Sequence, residues 1–152
     1  MKYVVLVLGL CATLFFSGVT SAYGQQGDSS DNVIKYRQYV MSSISSHFKA
    51  LKYLTTGRIT QPQQWLPHAE ALLDLTNMIE SSFPEDSDFG DTDAKEIIWE
   101  NKGDFNQKAL KLIKASETMV KLIEAQKLDE ARKQFNTIAK SCKSCHKKYR
   151  EL

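Results

Sequence analysis

The stretch "LDEARKQFNTIAKSCKSCHKKYREL", residues 128–152, decides how the chain is read. Leu128, Ala131, Phe135, Ile138, Cys142, Cys145 and Tyr149 recur at three- and four-residue spacing, the period of an amphipathic helix. Asp129 and Glu130 suit the positive end of its first turn. At about 100° per residue, Cys142, Cys145 and His146 share an arc of roughly 100° that continues the stripe of Phe135 and Ile138. All three side chains therefore face whatever this helix packs against.

Two cysteines and a histidine so placed support three chemistries. A Cys142–Cys145 disulfide is opposed by helix geometry, because bridged cysteines need particular Cβ directions. A redox pair usually opens a helix after a strand, and none precedes this one. Zinc needs a fourth ligand, and there is no second cysteine pair to supply it. Cys-x-x-Cys-His is also the attachment pattern of c-type haem, in which each thiol adds to a vinyl group and the histidine ligates iron. The reading taken is one haem c, covalent through Cys142 and Cys145, with His146 on the iron.

The start of the chain agrees with that chemistry. "MKYVVLVLGLCATLFFSGVTSAYG" has one cation, Lys2, then an apolar run too short for a membrane span, then small residues. It reads as a signal peptide over 1–24, cut after Ala22 or Gly24. Residues 25–152, about 130 in all, then form one exported, periplasmic domain. Cys11 leaves with the leader. The formal net charge of +2 and the lack of a basic arm speak against nucleic acid.

Three more helical stretches precede the last one. The first spans about Asp31 to Thr56, with Ile34, Met41, Ile44, Phe48 and Leu51 on one stripe and a cap at Asp31 or Asn32. The second opens near Pro62–Pro67, carries Trp65, Leu66, Ala69, Leu72, Leu73, Thr76 and Ile79, and stops before Pro84. An acidic loop, "PEDSDFGDTDAKE", follows. Its spacing fits a calcium loop poorly, since Gly90 falls at the fifth position and no glutamate at the twelfth, so it reads as solvated. The third stretch carries Ile98, Trp99, Phe105, Ala109, Leu112, Ile113, Ser116, Met119 and Ile123, with a break at Gly103. Four such helices, each about 30–35 Å long, predict an all-α, antiparallel four-helix bundle.

With these elements in order, the chain resembles the class II c-type cytochromes, the cytochrome c′ family. "IKYRQYVMSSISSHF" is similar to that family's first helix, "FPEDSDFGDTDAKEIIWENKGDFNQKAL" to its middle segment, and "CKSCHKKYR" to its attachment helix. Arg37 lies on the apolar stripe of the first helix, where an unpaired cation is costly. A haem propionate would pair it, and the resemblance implies the same. The alternative is a snorkelling side chain or a carboxylate partner. Arg150, four residues past His146, flanks the haem stripe, and the resemblance places an arginine there too.

The resemblance puts Met41, one turn beyond Arg37, at the distal face of the haem. A ligating methionine would close that face, raise the potential and suit electron transfer. The expectation is a low-spin, periplasmic electron-transfer protein with His146 and Met41 as axial ligands. The alternative is a high-spin cytochrome c′ whose five-coordinate haem binds nitric oxide or carbon monoxide, with Met41 as apolar filler. His47 lies about 120° around the helix from Met41, so the two cannot face one iron. His68 reads as solvated. Lys140, Lys143, Lys147 and Lys148 could attract a redox partner protein, or be only a solvated face. No nucleophile–base pair is present, so the chain does not read as an enzyme. The resemblance also implies a homodimer paired through the first helices.

Overall fold

A computed structural model describes residues 29–151. The expected leader with its cleavage site, and Cys11, lie outside the described residues. Four long helices form the body: α1 (Ser30–Thr55), α2 (Trp65–Asn77), α4 (Lys102–Glu124) and α5 (Leu128–Tyr149). A single-turn helix, α3 (Ile97–Glu100), precedes α4, and 3₁₀ turns at Pro62–Gln64 and Glu80–Ser82 flank α2.

The helix ends follow local chemistry. Ser29 caps α1 by accepting the Asn32 N–H at 3.4 Å, so the helix starts ahead of the residues expected to cap it. Gly57 follows the Thr56 C-cap of α1 with φ +72°, where a side chain would be strained. α2 is 13 residues long, about 20 Å, which is shorter than its apolar stripe suggests. The last residue of that stripe, Ile79, instead caps the 3₁₀ turn at its start and Phe83 caps it at its end, and both are buried. The break before α4 falls at Asn101 (φ −122°, ψ 43°) rather than at Gly103, which lies within the helix.

Hydrogen bonds at the helix ends set the antiparallel order. Arg132 at the start of α5 reaches the Thr55 carbonyl at the end of α1. Asn106 near the start of α4 donates to Glu80, just past α2. Tyr149 at the end of α5 donates to Asp104 at the start of α4. α1 packs on α2, α2 on α4 and α4 on α5, whereas α1 and α5 barely meet. Their main link is Phe48 stacked on Phe135, with ring centroids 4.7 Å apart. Leu51, Leu72, Ile98, Met119 and Ile138 are the large apolar side chains buried completely in the core.

Residues 84–96 fold over one end of the bundle. Gly90 (φ +117°) lets the backbone lie against Ile34, whose Cδ1 would sit 3.0 Å from any added Cβ. After Tyr149 the chain turns extended and pairs with this loop: Lys95 donates to the Tyr149 carbonyl and Glu151 to that of Asp93. The acidic side chains point outward while Ser87 is buried, so the loop is docked rather than merely solvated.

Candidate functional site

The open seam between α1 and α5 is a cavity of ≈ 1230 Å³. α5 brings Cys142, Cys145 and His146 to its wall, α1 brings Met41 and Phe48, and α4 forms the floor with Leu112. The helical period read from the sequence is what aims the α5 trio inward.

The two thiols are not bridged to each other. Burial, helped by the neighbouring Cys145, pushes the Cys142 thiol up to about 11, and burial raises Cys145 as well. Packing around the His146 ring, then the Arg150 cation, lowers its pKa, so the imidazole is neutral at pH 7, the form that can ligate a metal. Among the described residues no three His, Cys, Asp or Glu side chains come together to hold an ion, which leaves the zinc alternative without its ligands. The donors and the apolar walls do fit a haem: two thiols one helical turn apart, an adjacent imidazole, and room for a flat macrocycle.

Arg37 lies 2% exposed, with burial lowering its pKa, and its guanidinium is well partnered. It donates to the Ser87 hydroxyl (3.1 Å), the Ser87 carbonyl (3.0 Å) and the Thr92 hydroxyl (3.0 Å). Phe83 and Trp99 stack on it at 4.7 and 5.5 Å. The cost of a buried cation is thus met largely by the loop. Three of the five guanidinium N–H groups are used, and the residue still lines the cavity. Arg150 also lines the cavity and pairs with Asp93 through Nε (3.2 Å) and NH2 (2.8 Å).

Two features escaped the sequence reading. Asp104 accepts Lys148 at 2.8 Å and the Tyr149 hydroxyl at 2.5 Å, tying the end of the α5 helix to α4. Those two hydrogen bonds hold its carboxyl at about 2. His68 is not simply solvated: its Nδ1 lies 3.1 Å from Nδ1 of His47 across the α1–α2 interface. Neither Asp104 nor His68 falls on a hydrophobic stripe, so periodicity carries no signal for them.

Known proteins place this arrangement. The family model for cytochrome c′ matches residues 32–150. Cytochrome c′ of Pararhodospirillum photometricum is 25% identical over 119 residues, covering 78% of this chain and 95% of that one. That of Rhodospirillum rubrum is 28% identical over 158 residues, covering 99% of each. Among solved structures, recombinant native cytochrome c prime from Alcaligenes xylosoxidans superposes with a TM-score of 0.77 at 26% identity, covering 84% of this chain and all of that one. A nitric oxide complex of a point mutant of that protein also gives 0.77 at 26% identity, covering 84% and 99%.

These relatives overturn the expected low-spin carrier with His146 and Met41 as axial ligands. A haem that accepts nitric oxide keeps an axial position for an external ligand, whereas a ligating thioether would occupy it. Met41 is here a half-buried side chain packed against the core and lining the cavity, which is the filler role of a methionine on an apolar stripe. A four-helix bundle with Cys142, Cys145 and His146 on the wall of a haem-sized cavity, matched along nearly its whole described length, belongs to the cytochrome c′ family: a periplasmic c-type cytochrome with one covalently bound haem.

Proposed function

We propose that the protein binds a diatomic gas, nitric oxide or carbon monoxide, at a haem that keeps one axial position free of protein ligands. Bound haem supplies the iron at which the gas attaches. Cys142 and Cys145 would hold the macrocycle to α5 through thioether bonds, and the neutral His146 would ligate from the same helix. Met41 and Phe48 present an apolar wall that excludes water and offers the iron no anion or imidazole. The observation that carries this reading is the open α1–α5 seam, with the two thiols and the imidazole all on its α5 side.

Arg37 retains its Nε–H and one further N–H, and Arg150 three N–H groups, for the propionate edge. Lys49, Lys52, Lys108, Lys143 and Lys147 line the cavity and outnumber Asp91 and Asp93 there, an excess of cations suited to an acidic redox protein that would reduce the iron. Residues 1–24 act as the export signal. On α1, Tyr36, Tyr39, Ser43, Ser46, Ala50 and Tyr53 form an uncharged heptad seam, with Tyr39 63% exposed, that suits pairing with a second copy. Sedimentation of a Tyr39→Lys variant reads this: a monomer is expected, and an unchanged mass would remove the seam from the interface.

The optical and paramagnetic spectra of the oxidised protein test the ligation. High-spin signals are expected. A low-spin spectrum with a methionine–iron charge-transfer band would refute the open position.

A further inference from the structure

His47 and His68 lie outside the haem cavity and are not needed for anything described above. They come from different helices, α1 and α2, and meet with Nδ1 atoms 3.1 Å apart and ring planes at 61°. Both rings are half-buried, so solvent still reaches them. A metal about 2.05 Å from each nitrogen would subtend an N–metal–N angle of about 98°. That angle falls between the right angle of a tetragonal copper centre and the tetrahedral angle of zinc.

We propose that His47 and His68 form a two-histidine site for a divalent transition-metal ion, copper(II) by preference, that clasps α1 to α2. Imidazole nitrogen suits copper, nickel and zinc, and copper(II) stands highest among them in affinity for such donors. Without metal, one Nδ1–H donates to the other Nδ1. Binding requires the donating ring to shift its proton from Nδ1 to Nε2, so both Nδ1 lone pairs become available with no net loss of a proton. Burial and the neighbouring His47 lower the pKa of His68, which favours the neutral ligand form at pH 7. A small cavity of ≈ 210 Å³ opens beside His68, with Gln61 and Gln64 in its wall, so solvent approaches the pair from the His68 side.

The haem-loaded protein is the sample, because His146 is then engaged by iron and cannot compete. Copper(II) is titrated by calorimetry and followed by electron paramagnetic resonance. One ion per chain is expected, with hyperfine structure from two nitrogens. Its binding to the native state should raise the thermal midpoint. His47→Gln and His68→Gln should each weaken binding by more than the roughly 10–100-fold that loss of an outer-shell partner costs. The nitrogen count in the unmodified protein stands even where a variant folds poorly. Absence of a stoichiometric ion would overturn the site and leave only a hydrogen-bonded pair. An ion held equally well by both variants would place the binding elsewhere and overturn it too.

Discussion

Asp104 shows how one carboxylate steadies the attachment helix. It takes Lys148 and Tyr149, the last two residues of α5, onto the first turn of α4. Its pKa is about 2 in the fold against a reference of 3.8, a depressed carboxylate. The stability it contributes is therefore complete above the unfolded value and is lost as pH falls through the folded one. Comparing the native protein with Asp104→Asn across pH should show a constant gap in unfolding midpoint above pH 3.8 that closes towards about 2. A gap that persists unchanged at the acid end would show that the ionised carboxylate contributes nothing. At this scale Cys142, Cys145 and His146 were legible because spacing alone encodes their chemistry. Met41 was misread for a physical reason. Whether a thioether ligates depends on how closely α1 approaches the iron, and a stripe specifies a face, not a distance.

Among the elements, the segment from Pro84 to Glu96 departs most from its sequence reading. Its composition says solvated loop, and its carboxylates are outward, yet Ser87 and Thr92 are drawn in by Arg37. Trp99 and Lys102 add to this by donating to the Pro84 and Phe83 carbonyls. A buried arginine on an apolar stripe was visible in advance. Its partners were not, because isolated serines and threonines in a loop carry no period. Arg37→Ala would leave the buried Ser87 acceptors and the half-buried Thr92 hydroxyl without their donor and should cost about 1–3 kcal/mol. Denaturant unfolding reads the total, and limited proteolysis should show faster cutting within residues 84–96. Unchanged proteolysis would mean that the loop is held without Arg37. The helices themselves were legible to within a few residues. The exceptions, Asn101 and the short α2, are places where the apolar pattern runs on through a change of backbone geometry.

In the whole molecule, three helix pairs close tightly and the fourth stays apart, and that asymmetry makes the haem site. The bundle was legible from four stripes and their connections, but a stripe cannot say which pair remains open. Phe48 and Phe135 are the aromatic bridge across the loose seam, with Phe135 7% exposed. Phe135→Ala should destabilise the fold by about 3–5 kcal/mol, measured by denaturant titration of the haem-loaded protein. A loss under about 1 kcal/mol would show that the seam relaxes around the gap.

Adding carbon monoxide to the dithionite-reduced protein and following the Soret band tests most directly whether the distal position is free. A saturable shift to a carbon monoxide complex, retained in Met41→Leu, is the expected result. A reduced spectrum that is six-coordinate and low-spin and does not change with the gas would contradict it, because Met41 would then hold the position that the open α1–α5 seam leaves to an external ligand.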